Sequence, residues 1–155
     1  MNTFDLPAKV TGPSAWYGPD VAASGDWLVT LSDHQVQEIE DAAKSVIERD
    51  VEVAAITRET FPLPQTAPLI ADALEQCLHG RGFVAVRGLK PYADDIRMAA
   101  SMYYGIGTHM GSARSQNGKG HVLGHVCDLG LSTTDGSVRI YQTTERQNYH
   151  TDTCD

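Results

Sequence analysis

Apolar residues recur every three or four positions in the segment 33–49, and this spacing predicts an amphipathic helix. Ser32 and Gln35 at its start form the Ser-x-x-Gln pattern of a capping box, in which each residue satisfies a backbone N–H group of the other. Asp33 lies in the first turn, where the helix dipole favours a negative charge. The residues that we expect on the buried face are Val36, Ile39, Ala43, Val46 and Ile47.

A second helix is predicted over 68–79, because Pro68 suits a first helical position and Gly80 is a common stop. A third helix is predicted to begin near Asp94 and to end at Gly105 or Gly107. We expect four residues on its inner face: Ile96, Ala99, Ala100 and Tyr103. The glycines at its end resemble a dinucleotide-binding loop only loosely, since that loop follows a strand. A glycine-rich helix exit is the better interpretation.

Three short apolar runs predict β-strands, at 27–31, 82–88 and 138–143. The run 82–88 is the clearest, because glycines bound it on both sides. After residue 110 the chain is rich in Gly, Ser, Thr, His and Asn, as is typical of polar loops. Helices followed by strands and loops predict an α+β fold, with helices to one side of a sheet.

The first 26 residues are rich in proline and glycine, which predicts an extended arm with turns. Trp16 and Tyr17 are candidates to anchor this arm to the rest of the protein. The N-terminus has no basic region followed by an apolar one, so we expect no secretory signal. No stretch approaches the roughly 18 apolar residues of a membrane span. We therefore expect a cytoplasmic protein that does not associate with membranes.

Net charge limits the classes of partner that this chain can bind, and cysteine content indicates the redox state of its thiols. The net charge of −8 argues against a nucleic-acid partner, since phosphates would be repelled. The same charge is compatible with an anionic small-molecule substrate, because one local arginine or lysine can set the field of a pocket. The three cysteines form no Cys-x-x-Cys pair and are odd in number, which favours reduced thiols over disulfides.

His121 and His125 are candidates for a zinc site, because histidines four residues apart share one face of a helix. Cys127 or Asp128 would supply a third ligand. However, glycines at positions 120 and 124 disfavour a helix, and no glutamate follows His121 to act as a base. The alternative is that both histidines form ordinary hydrogen bonds in a loop near an active site.

His150 and Asp152 are the other candidate metal ligands. Residues i and i+2 of an extended strand project to the same side, so one imidazole and one carboxylate can reach one ion. This pair supplies two corners of the 2-His-1-carboxylate facial triad of non-haem iron(II) oxygenases. Such a pair also occurs by chance, and the alternative is a solvated strand end with a local His–Asp hydrogen bond.

The surrounding sequence contains several blocks that occur in a fixed order. Together they resemble the TauD/TfdA family of iron(II)/2-oxoglutarate-dependent dioxygenases, a clavaminate-synthase-like group, over about residues 27–155. The combination is specific, whereas each block alone is not. The blocks are residues 82–89, 104–111, 115–126, 138–143 and 150–155.

The resemblance implies a double-stranded β-helix, or jelly roll, with flanking helices. It implies a reaction in which 2-oxoglutarate is converted to succinate and CO2 while a small anionic or zwitterionic molecule is hydroxylated. His150 and Asp152 match the iron ligands of the family, and no catalytic residue is expected beyond these ligands. Ser115 and Asn117, and more weakly Thr153, match positions near the 2-oxoglutarate or substrate pocket.

The resemblance also implies that this domain is incomplete, with residues 27–155 as its N-terminal portion. Family members continue with a second iron-binding histidine and an arginine that binds 2-oxoglutarate, whereas no histidine follows Asp152 here. His109, His121 and His125 precede the pair and are not assigned that role. We therefore expect an incomplete jelly roll without activity by itself. The alternative is a non-catalytic chain that needs a partner to complete its sheet; substrate and oligomeric state stay open.

Overall fold

The computed structural model describes residues 9–117, 120–124 and 126–148. The chain divides into two compact units, Met1–Arg114 and Ser115–Asp155. The first unit contains four α-helices and a two-stranded parallel sheet, so the predicted α+β class is confirmed. In the part of the chain that the structure describes, no helix is long and apolar enough to cross a membrane.

Helix α2, Asp33–Glu48, begins where the capping box predicts. The Ser32 hydroxyl accepts a hydrogen bond from the backbone N–H of Gln35 at 3.3 Å, and the Gln35 side chain accepts one from the Ser32 backbone at 3.0 Å. Its apolar face lies in the core of the first unit, with Ile39, Ala42, Ala43 and Val46 buried. Both the bounds and the buried face therefore follow from the sequence pattern.

Helix α3, Ala67–Leu78, is capped by a residue of α2 rather than by its own neighbours. The Glu38 carboxylate accepts hydrogen bonds from the backbone N–H groups of Gln65 and Thr66 at 2.9 and 2.8 Å. It also accepts a bond from the Thr66 hydroxyl at 2.6 Å. A carboxylate here satisfies N–H groups that a helix start leaves unpaired, and it complements the helix dipole.

Strands β1, Leu28–Thr30, and β2, Ala85–Arg87, form the parallel sheet, with Leu28 opposite Ala85. Each is shorter than its predicted run. The strands stay in contact just beyond their ends, because the Leu31 N–H donates to the Arg87 carbonyl at 2.9 Å. Gly88 follows with φ +118°, a backbone conformation that favours glycine.

Helix α4, Ile96–Thr108, corrects the prediction for its inner face. Ile96 and Tyr103 are 66% and 73% exposed, so they do not lie in the core. The helix instead buries the opposite face, which packs against α2 and consists of Met98, Ser101, Met102 and Gly105. Both faces carry apolar residues, so sequence spacing alone could not decide which of them α2 would cover.

Gly105 allows α4 to approach the connection between α2 and α3. A Cβ atom at this position would lie 2.5 Å from ring carbons of Phe61, which is fully buried. The carbonyl of Phe61 lies 2.8 Å from Nε2 of His109, the C-cap of the same helix. The glycine in this segment therefore serves helix packing, in agreement with the interpretation as a helix exit.

The N-terminal arm is not extended throughout, because helix α1, Gly18–Ser24, lies within it. Pro19 at the start of this helix was the available signal, since proline suits the first turn. Trp16 anchors the arm: its indole N–H donates to the Arg81 carbonyl at 3.0 Å, and its ring packs edge-on against Phe83 at 5.3 Å. Tyr17 is 69% exposed, so the structure gives it no comparable burial.

The strand predicted at 138–143 is wrong. This run contains a 3₁₀ helix, Ile140–Gln142, and the N–H of Arg139 donates to the Gln142 side chain at 2.9 Å. A strand needs a neighbour to satisfy its backbone, and in the described part of Ser115–Asp155 no strand is present to supply one. The described residues therefore show the parallel sheet but no antiparallel strand pair of a jelly roll.

Candidate functional site

Ser115 and Asn117, the described candidates for the cosubstrate pocket, lie in a tight turn that closes at His121. The Gln116 N–H donates to the His121 carbonyl at 2.7 Å, and the Gly120 N–H donates to the Asn117 carbonyl at 3.0 Å. The Ser115 hydroxyl donates to the same Asn117 carbonyl at 2.6 Å. The turn therefore holds both candidate side chains on one short, exposed stretch of chain.

The Asn117 side chain binds His121 through two atoms. Its Oδ1 accepts from the His121 backbone N–H at 3.2 Å, so its Nδ2 must be the group that faces His121 Nδ1 at 3.0 Å. An amide N–H donates, and Nδ1 therefore accepts as an unprotonated nitrogen. The proton of the neutral ring is then on Nε2. Asn117 fixes both the orientation and the tautomer of this imidazole.

The chain from Asp128 to Glu145 folds back on itself before it reaches the segment that carries His150 and Asp152, here called the HxD segment. The Leu129 N–H donates to the Gln142 carbonyl at 2.9 Å, and the Thr133 hydroxyl donates to the Glu145 carboxylate at 2.6 Å. Asp128 accepts from the Gly130 N–H at 2.7 Å, where φ is +68°. These bonds define the loop that precedes the predicted metal ligands.

A smaller turn within this loop is stabilised by Asp135. Its carboxylate accepts from the backbone N–H of Ser137 at 2.9 Å and from the Ser137 hydroxyl at 2.7 Å. The backbone bond, followed by the hydroxyl bond, lowers the pKa of Asp135 below its ordinary value of 3.8. The carboxylate form is therefore the one that this turn favours.

The predicted metal ligands His150 and Asp152 lie outside the described residues, as do Thr153 and His125. Within residues 9–117, 120–124 and 126–148, no three His, Cys, Asp or Glu side chains lie close enough to hold a metal ion. Of the residues predicted for the iron and cosubstrate site, the structure therefore describes Ser115 and Asn117, and it brings both to the turn with His121.

Two of the described zinc candidates are engaged elsewhere. The lone pair of His121 Nδ1 accepts from Asn117, and the Asp128 carboxylate accepts from Gly130. Cys127 is exposed. Zinc binding by His121 would therefore require either a tautomer change or the loss of its bond to Asn117.

Comparison with known proteins shows the family to which this chain belongs. The family described as "Taurine catabolism dioxygenase TauD, TfdA family" matches residues 48–154, which include the turn, the loop and the HxD segment. The chain belongs to the TauD/TfdA family. This resemblance, predicted from the ordered sequence blocks, is thus confirmed.

Two curated relatives extend the match to nearly the whole chain. The "FR-33289 synthase" of Streptomyces rubellomurinus (strain ATCC 31215) is 30% identical over 151 residues, covering 97% of this chain and 44% of the relative. The "Taurine hydroxylase-like protein SAT17" of Stachybotrys chartarum (strain CBS 109288 / IBT 7711) is 27% identical over 155 residues, covering 95% of this chain and 40% of the relative. The chain thus spans less than half the length of either TauD/TfdA relative.

The pairing of Asn117 with His121 was missed at the level of sequence. An Asn and a His four residues apart, with a glycine between them, fit a turn in which the amide caps the returning backbone. The sequence carries this pattern, but the spacing of His121 and His125 was interpreted as a possible metal site instead. In this TauD/TfdA chain, the structure assigns His121 to the same turn as the predicted pocket residues.

Proposed function

We propose that this protein is an iron(II)/2-oxoglutarate-dependent dioxygenase in which His150 and Asp152 bind the iron. The observation that supports the proposal is the position of this pair inside the family match over residues 48–154. The ligand spacing alone is weak, but the family match makes an iron-binding role the natural interpretation of an imidazole and a carboxylate two residues apart.

The donor chemistry of this pair fits iron(II). A neutral imidazole nitrogen and a carboxylate oxygen are two of the three protein donors of the facial triad, which leaves open positions for a 2-oxo acid and dioxygen. When bound, iron supplies the activation of dioxygen that is coupled to decarboxylation of 2-oxoglutarate. The contribution of this chain is to hold the two donors on one side of the backbone and to orient them.

For the domain, we propose that residues 27–155 are the N-terminal portion of a jelly roll with flanking helices, preceded by the arm 1–26. The α+β unit up to Arg114 would supply the flanking helices. The family assignment supports this proposal, whereas the described sheet has only two parallel strands. The loop 126–148 would then lead from the turn at Asn117 to the iron ligands.

Ser115, Asn117 and Thr153 are proposed as residues near the cosubstrate. The turn supports this role for Asn117, because its amide holds His121 in one tautomer with an Nε2–H donor. An N–H donor suits the carboxylate of 2-oxoglutarate or of an anionic substrate. We therefore add His121 to the proposed pocket as a hydrogen-bond donor rather than a metal ligand.

The substrate is proposed to be a small anionic or zwitterionic molecule. The name of one relative contains taurine, a molecule with an ammonium and a sulfonate group. The net charge of −8 does not oppose such a substrate, since the field of a pocket is set by its own lining residues. Within this class, we propose no individual compound.

For the 155-residue polypeptide by itself, we propose iron binding without turnover. It contains two proposed donors and no histidine after Asp152, so a full triad in the family's order cannot form within these residues. The relatives are more than twice as long, and the activity proposed here is that of a whole protein of that kind. For the whole protein we also propose an arginine that binds a carboxylate of 2-oxoglutarate.

A second candidate is a non-catalytic chain that is stable only with a partner. One observation favours it: large apolar side chains of the second unit are exposed, with Val126 at 81%, Leu129 at 55% and Leu131 at 46%. Large exposed apolar patches commonly mark interaction surfaces, and these three residues lie within six positions of the chain. A cooperative thermal transition of the isolated monomer, observed across both units, would contradict this candidate.

The dioxygenase proposal is tested by extending the reading frame to the length of the relatives and measuring succinate formation. Turnover should require both iron(II) and 2-oxoglutarate, and His150→Ala and Asp152→Asn should each abolish it. His34→Ala, at an exposed position of α2, is the matched control and should retain activity. A folded, iron-loaded protein that decarboxylates no 2-oxoglutarate in the presence of anionic and zwitterionic candidates would overturn the proposal.

A further inference from the structure

A cavity of about 420 Å³ lies between strand β1 and helix α3 in the first unit. Its apolar lining consists of Val29 on β1, Val84 next to β2, and Leu69 and Ala73 on α3. Each of these four residues is buried or half-buried, so the apolar wall consists of side chains that the fold already holds in place. Small-molecule sites commonly occupy roughly 300–1,000 Å³, so the space is large enough for a small organic ligand.

Helix α3 also supplies polar side chains to this cavity. Asp72 and Gln76 are four residues apart, so they project from the same side of the helix as Leu69. Gln35 of α2 and Gln65 before α3 add two further carboxamide groups. A carboxamide carries both a donor and an acceptor, so the glutamines can bind polar groups of either kind. The charge preference of the cavity is therefore determined by its carboxylates.

The two carboxylates of the lining, Asp26 and Asp72, differ in their surroundings. Asp26 Oδ1 accepts from the Ser24 hydroxyl at 2.5 Å and lies 2.6 Å from the Arg81 guanidinium. These two contacts, with the Ser24 bond as the larger cause, lower the pKa of Asp26. Asp72 forms neither a hydrogen bond nor an ion pair with any described residue. Its charge is therefore the one left uncompensated at the wall of the cavity.

No positively charged side chain is among the described residues that line this cavity. Arg81 instead lines a neighbouring cavity of about 350 Å³, which shares Asp26 and Gln76 with the first. A ligand in the first cavity therefore meets negative charge and neutral amides, and an anion would be repelled. The complementary ligand is a cation with an apolar part.

We propose that this cavity binds a small organic cation with one ammonium group and a hydrocarbon chain. The ammonium lies against the Asp72 carboxylate, and the carboxamide oxygens of Gln65 and Gln76 accept its remaining N–H groups. The hydrocarbon chain packs on the apolar wall that contains Leu69. The described lining includes none of the residues proposed to bind iron or the cosubstrate, so this binding is independent of the proposed dioxygenase activity.

Titration of the full 155-residue chain with n-butylammonium tests the proposal, with 1-butanol and pentanoate as the neutral and anionic analogues. Backbone amide shifts in NMR are followed at constant ionic strength. Butylammonium should give saturable shifts in residues 69–76, with an affinity about threefold or more above that of 1-butanol, because the ion pair is partly exposed to solvent. Pentanoate should bind no more tightly than 1-butanol. An absence of saturation, a smaller advantage over 1-butanol, or tighter binding of pentanoate than of 1-butanol would overturn the proposal.

A matched pair of variants tests the role of Asp72. Asp72→Asn removes the charge and retains the shape of the side chain, so butylammonium should bind about threefold or more weakly while 1-butanol binds as before. Glu75→Gln removes an equal charge from an exposed position of the same helix, outside the cavity lining, and should leave both affinities unchanged. An unchanged butylammonium affinity in Asp72→Asn would contradict the proposal. An equal loss in Glu75→Gln would also contradict it, because the net charge of the chain rather than this cavity would then explain the binding.

Discussion

The two units of this chain are organised by different interactions. The unit up to Arg114 has a core of buried apolar side chains from α2, α4 and the connection that carries Phe61. In the unit from Ser115 onward, none of the described residues is buried, and the chain is organised by hydrogen bonds of side chains such as Asn117 and Glu145.

We therefore assign most of the stability to the first unit and the proposed iron chemistry to the second. Apolar burial gives roughly 25 cal/mol per Å², so the first unit can supply most of the folding free energy. Exposed hydrogen bonds add little net stability but fix local geometry. The proposed iron ligands His150 and Asp152 come after this second kind of structure in the sequence and lie outside the described residues. The following variants test this contrast between the two units.

The largest effect is expected for Phe61→Ala. This fully buried ring lies against α4, and its removal should lower the free energy of unfolding by about 3–5 kcal/mol. The matched variant in the second unit is Leu129→Ala, at a side chain that is 55% exposed, with an expected change within about 0.5 kcal/mol. Denaturant titration measures both, and equal losses would remove the contrast between the units.

Gly105→Ala should destabilise the first unit by overpacking. The added Cβ would lie 2.5 Å from the Phe61 ring, and the expected cost is about 1–3 kcal/mol. Gly107→Ala on the same helix meets no atom within 4 Å and should instead stabilise the protein by about 0.5–1 kcal/mol. Thermal melts of the two variants should therefore shift in opposite directions; shifts in the same direction would contradict the packing described for α4.

Glu38→Ala should remove the cap that α2 provides for α3. Three hydrogen bonds to one carboxylate are lost, and the loss of a helix N-terminal cap costs about 0.5–2 kcal/mol, so a loss near the upper end of that range is expected. Amides of 65–67 should exchange faster. Glu48→Ala, at the exposed last residue of α2, serves as the control and should cost nothing measurable. If Glu48→Ala lowers the free energy of unfolding as much as Glu38→Ala does, the loss of a negative charge rather than the loss of the cap explains the result.

The smallest effect is local and depends on pH. Because the Ser137 bonds lower the pKa of Asp135, this carboxylate supports its turn fully above the unfolded pKa, and the support is lost as pH falls through the lower folded pKa. The Ser137 amide shift in NMR should titrate with a midpoint below 3.8. Asp135→Asn should abolish this titration, and a midpoint at or above the ordinary value would contradict the bonding described.

Local sequence signals predicted much of the first unit. The capping box at Ser32 and the apolar spacing behind it give α2, and Pro68 with Gly80 bracket α3 closely. These elements depend on interactions within a few residues, which a sequence displays directly. The cap of α3 by Glu38 could not be read in this way, because its partners are 27 and 28 residues distant.

The wrong predictions concern residues whose burial or conformation is determined by a neighbouring element. The exposed Tyr103 was expected on the inner face of α4, but α2 covers the opposite apolar stripe. Residues 138–143 have strand-like composition, yet the described chain contains no partner strand and the Gln142 side chain binds the backbone instead. For the site, Ser115 and Asn117 lie in a described turn, but their role near the cosubstrate stays a prediction. His150, Asp152 and Thr153 also stay predictions and lie outside the described residues.

One measurement tests the proposed iron ligands directly. Iron(II) affinity of the 155-residue chain is measured without oxygen for the unaltered protein and for two variants, His150→Ala and His121→Ala. Loss of a ligand should weaken binding by more than about tenfold in His150→Ala, since even outer-shell changes cost 10–100-fold. His121→Ala should bind iron as the unaltered chain does. The opposite pattern, with binding lost in His121→Ala and retained in His150→Ala, would contradict the assignment.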